Sequence, residues 1–263
     1  MWQMDLGLQG RRAIVTGGSK GIGKAIAHEL ALEGADIAIC ARGDTELQVA
    51  ASMLREKTQR NIFAMSLDVT NRSSVNDFIE KAAEELGGLD ILINNAGSPV
   101  TGTFEEVDIE RWRQDLEVKL FAPIYCIHAV LPYLKESDQP RIININSIVG
   151  RQSTPEYIAN STDRAACLGF NKVLSDNLAK YGILVNSINP GNVKSEAWDS
   201  TIEYFSPDQE LEDWYQTVSQ DTPLGRVAEA EEIAALTAFL ASKRAGYITG
   251  ASIDIDGGLT RYI

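Results

Sequence analysis

The sequence predicts an α/β fold: a doubly wound sheet of seven mostly parallel strands with helices on both faces. Short runs rich in Ile, Val and Leu alternate with longer segments whose apolar residues recur every three or four positions, the pattern of strands buried on both faces between amphipathic helices. A glycine-rich turn stands between the first such run and the first helical segment. At ~150 residues per domain, with α/β folds often reaching ~250 as one unit, and with no repeat or Pro/Gly/Ser linker, one domain over residues 1–263 is expected.

The first strand covers Arg12–Thr16 and runs directly into Gly17, Gly18, Ser19, Lys20, Gly21, Ile22 and Gly23. A helix follows over Ile22–Glu33, then a strand over Asp36–Cys40 and another over Ile62–Leu67. The helical period returns over Val75–Leu86 before strands at Asp90–Asn94, Arg141–Asn146, Leu184–Asn189 and Ser252–Ile255. One segment breaks the alternation. From Ser195 to Gly225 there is no Lys or Arg, eight carboxylates occur, and Trp198, Tyr204, Phe205, Trp214 and Tyr215 supply bulky aromatic surface. Its place after a late strand predicts a substrate lid at about 195–225; the alternative is an exposed helical pair whose aromatics pack on the sheet.

Composition removes several classes of function. Twenty-four Lys and Arg against 37 Asp and Glu give a net charge of −13 and a pI near 4.7, which argues against nucleic acid because a phosphate-backbone binder needs a basic footprint. No apolar run approaches the ~20 residues of a bilayer span, and Met1 to Gly10 lacks the pattern of a secretory leader. No membrane partner and a cytoplasmic location are expected. Cys40, Cys126 and Cys167 form no C-x-x-C pair, which fits reduced thiols and leaves no metal or redox-disulfide centre.

Glycines in the Thr16–Gly23 turn let backbone N–H groups approach a pyrophosphate, whose charge the following helix N-terminus stabilises. The second strand ends at Arg42 rather than at the acidic residue that would bind the ribose hydroxyls of NAD. Arg42 and Lys20 together suit the extra 2′-phosphate of NADP, so NADP is expected over NAD, although Asp44 lies close enough in sequence to quench Arg42.

With these residues in place, the chain resembles the short-chain dehydrogenase/reductase family over essentially its whole length. The markers are the Thr16–Gly23 turn, Asp68 and Val69, the run Asn94, Asn95, Ala96, Gly97, the pair Pro190 and Gly191, and Asp256, Gly257, Gly258. The resemblance implies a Rossmann-type domain, a nicotinamide cofactor, a homodimer or homotetramer, and a pocket roofed by the segment after Gly191. It implies cofactor contacts from Gly17, Ser19, Lys20, Gly21, Ile22, Gly23, Arg42, Asp68, Val69, Asn95, Ala96, Gly97, Arg164, Pro190, Gly191 and Val193.

The family's chemistry rests on Asn, Ser, Tyr and Lys, and only the serine is clearly present, as Ser147. Its Y-x-x-x-K pattern falls on Asn160, Ser161, Thr162, Asp163 and Arg164, a register supported by Ala165, Ala166, Asn171 and Gly182. The position of its Asn, seven residues after Trp112, is Lys119. A carboxamide orients a carbonyl but cannot protonate it, and a guanidinium with pKa above ~12 holds hydroxyls but does not relay protons. The acid is then Lys119, if burial and Arg164 lower its pKa, or Tyr157, three residues before Asn160; Asp163 reads as pairing with a cation on the helix surface. His28 and His128 read as packing or surface residues.

The expected function is an NADP-dependent oxidoreductase of a small carbonyl or alcohol, with Ser147, Asn160, Arg164, Lys119 and Tyr157 at its site. The alternatives are a non-redox lyase, hydrolase or isomerase on the same scaffold, or a non-catalytic NADP-binding protein. The acidic lid, if its carboxylates face the mouth, favours neutral or cationic small-molecule substrates over acyl-CoA or acyl carrier protein thioesters.

Overall fold

The computed structural model describes residues 5–195 and 198–262, with the backbone alone for 199 and 200. In chain order the elements are β1 (Arg12–Thr16), α1 (Gly21–Leu32), β2 (Asp36–Ala41), α2 (Asp44–Thr58), β3 (Ile62–Ser66), α3 (Arg72–Leu86), β4 (Ile91–Asn94) and α4 (Ile109–Leu116). They continue as α5 (Ala122–Glu136), β5 (Arg141–Ile145), α6 (Ile158–Leu178), β6 (Leu184–Pro190), α7 (Asp199–Phe205), α8 (Leu211–Ser219), α9 (Ala230–Ala241) and β7 (Ser252–Ile255). The seven strands form one sheet in the order β3-β2-β1-β4-β5-β6-β7. Every pairing is parallel, with Val15 opposite Ile39 on one side and Ile93 on the other. All seven predicted strands are present to within a residue at each end.

Alternating side chains of the strands enter two apolar layers. Val15, Ile37, Ile39 and Ile93 pack with Ile26, Leu30, Leu47 and Leu240 of α1, α2 and α9. Ile14, Ala38 and Leu92 pack with Phe78, Ile79, Val130 and Leu178 of α3, α5 and α6. Fully burying one such Leu, Ile or Phe contributes about 1.5–3 kcal/mol, so the two layers hold the sheet rigid under its carboxyl ends. Cys40 and Cys126 are free and buried in the second layer, and burial pushes both thiols up, that of Cys126 to about 12.

The strand order reverses between β1 and β4, which opens a crevice at the carboxyl ends of the strands, where doubly wound sheets bind ligands. A buried amide chain fixes its floor: Asn94 Nδ2 donates to Asn144 Oδ1 at 2.8 Å, and Asn144 Nδ2 to Asn171 Oδ1 at 3.0 Å. These bonds tie β4, β5 and α6 to one another directly beneath the crevice. At its edge, α4 passes without a break into a π-helical turn over Glu117–Phe121, then into α5. The sequence pattern does not anticipate that turn, and π-turns inside helices recur at functional sites. Among the described residues, no helix is long and apolar enough to cross a membrane.

Candidate active site

The glycine turn is built by its neighbours. Gly17 N and Gly18 N donate to Cys40 O at 2.8 and 3.1 Å, hanging the turn from β2. Gly17 has φ +69, and a Cβ on Gly23 would lie 2.1 Å from Gly17 O, so both positions exclude side chains. Thr16 Oγ1 accepts from Asn95 N at 2.9 Å and Ala96 N at 3.1 Å, and Asn95 Nδ2 donates to Thr16 O at 3.0 Å. The two loops flanking the switch point are therefore stitched together. Lys20 precedes α1 without a side-chain cap, leaving the first N–H groups of that helix for an anion.

Twelve of the expected cofactor residues, from Gly17 through Arg42, Asp68 and Val69 to Gly97, line one cleft of about 560 Å³. Lys20 and Arg42 both belong to it. Asp44 accepts from Gln48 Nε2 at 3.2 Å, so it has a partner other than Arg42. The carboxylates that line the cleft with Arg42 are instead Asp68 and Glu46, the latter folding back over Gly43.

A second cleft, of about 450 Å³, shares Ile22, Asn95, Gly97, Ser98 and Ser195 with the first, so the two form one trough. Ser147, Tyr157, Asn160, Arg164, Pro190, Gly191 and Val193 line it. Ser147 sits at the exit of β5 and its Oγ accepts from Val149 N at 3.4 Å. Asn160 is buried, and its Oδ1 has no hydrogen-bond partner. Arg164, one turn along α6, donates from Nη1 to Ile145 O at 3.0 Å, and burial holds its pKa below the usual guanidinium range. Its Nη2 would stand 3.7 Å from a Cβ on Gly97.

Lys119 does not line the trough. It lies in the π-turn with its side chain fully buried, behind Gly97, and forms an ion pair with Asp115 one turn earlier. Burial, then the Arg164 charge, pulls its pKa from 10.5 to about 8, against the opposing effect of Asp115. Asp163 is not on the helix surface as the sequence suggests: it is 2% exposed, and its side chain meets that of Asp115. Burial and Asp115 push its carboxyl well above the usual carboxylate range. Cys167 Sγ completes the cluster by donating to Lys119 O at 3.2 Å. The sequence reading missed Asp115 altogether; its signal was the spacing of four to Lys119, which sets both on one helix face.

Tyr157 lines the trough on its roof side. Its ring packs 5.7 Å from that of Phe205, its hydroxyl stands beside Thr201, and burial raises its pKa to about 12. The 195–225 segment contributes α7 and α8, and its Trp198, Phe205, Trp214 and Val218 roof the trough. Trp198 Nε1 donates to Val193 O at 2.6 Å, and Tyr204 OH to Glu106 Oε2 at 2.6 Å, fastening the roof on two sides. Of the eight acids, Glu196 and the Asp199 side chain lie outside the described residues. Asp221 lines the trough, whereas Glu203, Asp208, Glu210, Glu212 and Asp213 are exposed and absent from its wall. His28 and His128 line neither cleft. No group of three His, Cys, Asp or Glu side chains among the described residues is placed to hold a metal.

A parallel sheet of this order, with a glycine turn at its switch point and a serine at the exit of β5, defines a dinucleotide-binding α/β enzyme scaffold. A family model described as enoyl-(acyl carrier protein) reductase matches residues 17–260. The chain belongs to the short-chain dehydrogenase/reductase family. It is 32% identical to 3-oxoacyl-(acyl-carrier-protein) reductase FabG of Vibrio cholerae over 255 residues, 97% of this chain and 99% of that protein. The crystal structure of L-sorbose reductase from Gluconobacter frateurii, complexed with NADPH and L-sorbose, is 33% identical with a TM-score of 0.94, covering 99% of this chain and 100% of that one. An NADPH-bound short chain oxidoreductase from Pseudomonas aeruginosa PAO1, described as containing an atypical catalytic center, is 35% identical with a TM-score of 0.90 over 96% of this chain and 98% of that one.

Proposed function

We propose that the protein is an NADP-dependent oxidoreductase that interconverts a small carbonyl and its alcohol, using a reaction centre in which Lys119 replaces the phenol as proton donor. The observation that carries this reading is the single trough in which a cofactor cleft with Lys20 and Arg42 opens directly onto Ser147, Asn160 and Arg164. The fit to the dinucleotide rests on the uncapped start of α1, the side-chain-free turn at Gly17 and Gly23, and the two cations, Lys20 and Arg42, in the same cleft. The similarity to two NADPH-bound structures supports the same cofactor.

Bound nicotinamide supplies the hydride. The remaining work falls to side chains. Ser147 Oγ donates to the substrate oxygen, and the Asn160 carboxamide, whose oxygen is otherwise unpartnered, fixes a water or a hydroxyl beside it. Arg164 holds hydroxyl groups of the cofactor ribose and, through its charge, keeps Lys119 acidic. Lys119, buried behind Gly97 and outside the trough wall, supplies the proton through a water that reaches past that glycine. Tyr157 serves the roof; its raised pKa makes it the poorer acid.

Roof aromatics and the Ile145, Ile148 and Val149 wall make the substrate side largely apolar, with Asp221 as the acid that the described roof turns inward. We therefore assign neutral or cationic small molecules as substrates, with less contribution from lid charge than eight inward carboxylates would have made. The test is NADPH oxidation across aldehydes, ketones and their acyl thioesters, with NADP reduction across the alcohols. Turnover of a free ketone above its CoA thioester is expected. Tight NADPH binding without turnover of any carbonyl would overturn the reading.

A further inference from the structure

The α4–π-turn ridge presents Asp115 and Lys119 to the face of α6 that carries Asn160, Asp163, Arg164 and Cys167. The groups facing Asp163 across this interface are the carboxylate of Asp115, the ammonium of Lys119 and the guanidinium of Arg164, with the Cys167 thiol at its edge. Asp115, Lys119 and Asp163 are all at most 5% exposed. The Asp115 and Asp163 side chains face one another across this buried interface, each close enough to feel the other's charge. Two carboxylates held together out of water repel one another, so this placement favours a proton on one of them. Each carboxyl also keeps a buried Oδ2 that receives no donated hydrogen bond, which fits a pair carrying less than its full negative charge.

We propose that Asp115 and Asp163 hold one proton between them and pass it to Lys119, serving as the proton store of a reaction centre that has lost its phenol. The inference deepens the redox reading above and rests on it for its role, though not for its existence. In the reducing direction an N–H bond of the Lys119 ammonium breaks and its proton joins the substrate oxygen, while that oxygen takes the π electrons displaced by hydride arriving at the carbonyl carbon. The neutral amine takes the proton of the carboxyl pair, leaving two carboxylates, and the pair regains one proton from water. One solvent proton is consumed per carbonyl reduced, and oxidation runs the same path backwards. Burial and a second carboxyl push Asp163 up while burial and Arg164 push Lys119 down, so donor and acceptor approach one another and the transfer between them carries little cost. Neither aspartate lines the trough, so both act through Lys119 as positioning residues.

The test is a pH titration by NMR of the intact, cofactor-free protein carrying 13Cγ-labelled aspartate. One carboxyl signal is expected to titrate near neutrality, to vanish in Asp163→Asn, and to move to lower pH in Asp115→Asn. If every aspartate of the unmodified protein is ionised by about pH 5, roughly one unit above the ordinary value, the shared proton does not exist; this needs no variant to fold. In the active enzyme each variant is expected to lose about tenfold or more in kcat for reduction with KM for NADPH unchanged and the alkaline limb displaced. Unchanged kcat and pH profile in both would overturn the relay. A near-neutral carboxyl in a protein that turns over no carbonyl would instead sink the redox assignment and leave the pair standing.

Discussion

Replacing Lys119 by Met removes the only cation that the described structure pairs with Asp115, and its consequences follow from position. The fall of the ammonium pKa from 10.5 to about 8 makes it an acid about 300-fold stronger than a free lysine. A donor must carry its proton, so reduction is expected to be level below about pH 8 and to decline as pH rises through that value; oxidation needs the free amine and rises through the same range. A positioned general acid is worth roughly 10²–10⁴ in rate, or about 2.7–5.4 kcal/mol of barrier, so Lys119→Met should lower kcat by that factor and erase the limb near pH 8. NADPH affinity, measured by fluorescence titration, should be unchanged because Lys119 lines neither cleft. Because the change also leaves two buried carboxyls facing each other, Lys119→Gln and a thermal melt belong to the same experiment. Retention of kcat to within about threefold in a folded variant, with the limb in place, would refute the role, since general-acid losses start near a hundredfold.

Arg42→Ala should weaken NADPH binding by about ten- to a hundredfold, as expected for a lost charge-assisted phosphate contact of about 1.5–3 kcal/mol. It should leave NADH binding nearly unaltered, and equal losses for both cofactors by calorimetry would place the 2′-phosphate elsewhere. Ser147→Ala should cost about 10²–10³ in kcat, the size of a lost oxyanion donor, with NADPH affinity retained; steady-state kinetics beside a binding titration checks it. Asp90→Ala should destabilise the fold by about 2–4 kcal/mol, because this buried carboxylate accepts from Arg12 N, Nε and Nη2 and from Ser137 Oγ at 3.0, 2.8, 2.8 and 2.6 Å. Burial alone would raise the Asp90 pKa, but the Arg12 and Ser137 bonds and the Arg12 charge leave it below the ordinary value. Its stabilisation is therefore present above the unfolded-state pKa of about 3.9 and lost as pH falls through the lower folded value. Melts of the wild type should consequently drop more steeply in acid than those of the variant.

What the sequence made legible, and what it hid, divides along one physical line. Strands buried on both faces must be apolar at nearly every position, so Ile37–Cys40 or Ile142–Ile143 announce themselves as runs, and the glycines at 17 and 23 are required by backbone contacts that tolerate no Cβ. Where ends differ, at Ala41, Leu67, Asp90, Asn146 and Pro190, a residue continues or leaves the ladder according to its neighbour strand, as Pro190 does by lying opposite Ile255. The proposed reaction centre is of another kind. Asp115 and Lys119 at a spacing of four, and Asp163 beside Arg164, are what any solvated helix displays, and nothing in a one-dimensional pattern distinguishes a charged pair in water from one at most 5% exposed. The two carboxyls lie on separate helices and meet only because the π-turn and the amide chain Asn94–Asn144–Asn171 set α4 and α6 against one edge of the crevice. Burial is what turns those ordinary ions into an ammonium that gives up its proton readily and a carboxyl that keeps one. Asn160 and Arg164, which the family resemblance sets at its Tyr and Lys positions, thus share a helix face with a buried charge cluster, and the carboxyl titration is designed to decide whether that cluster stores a proton.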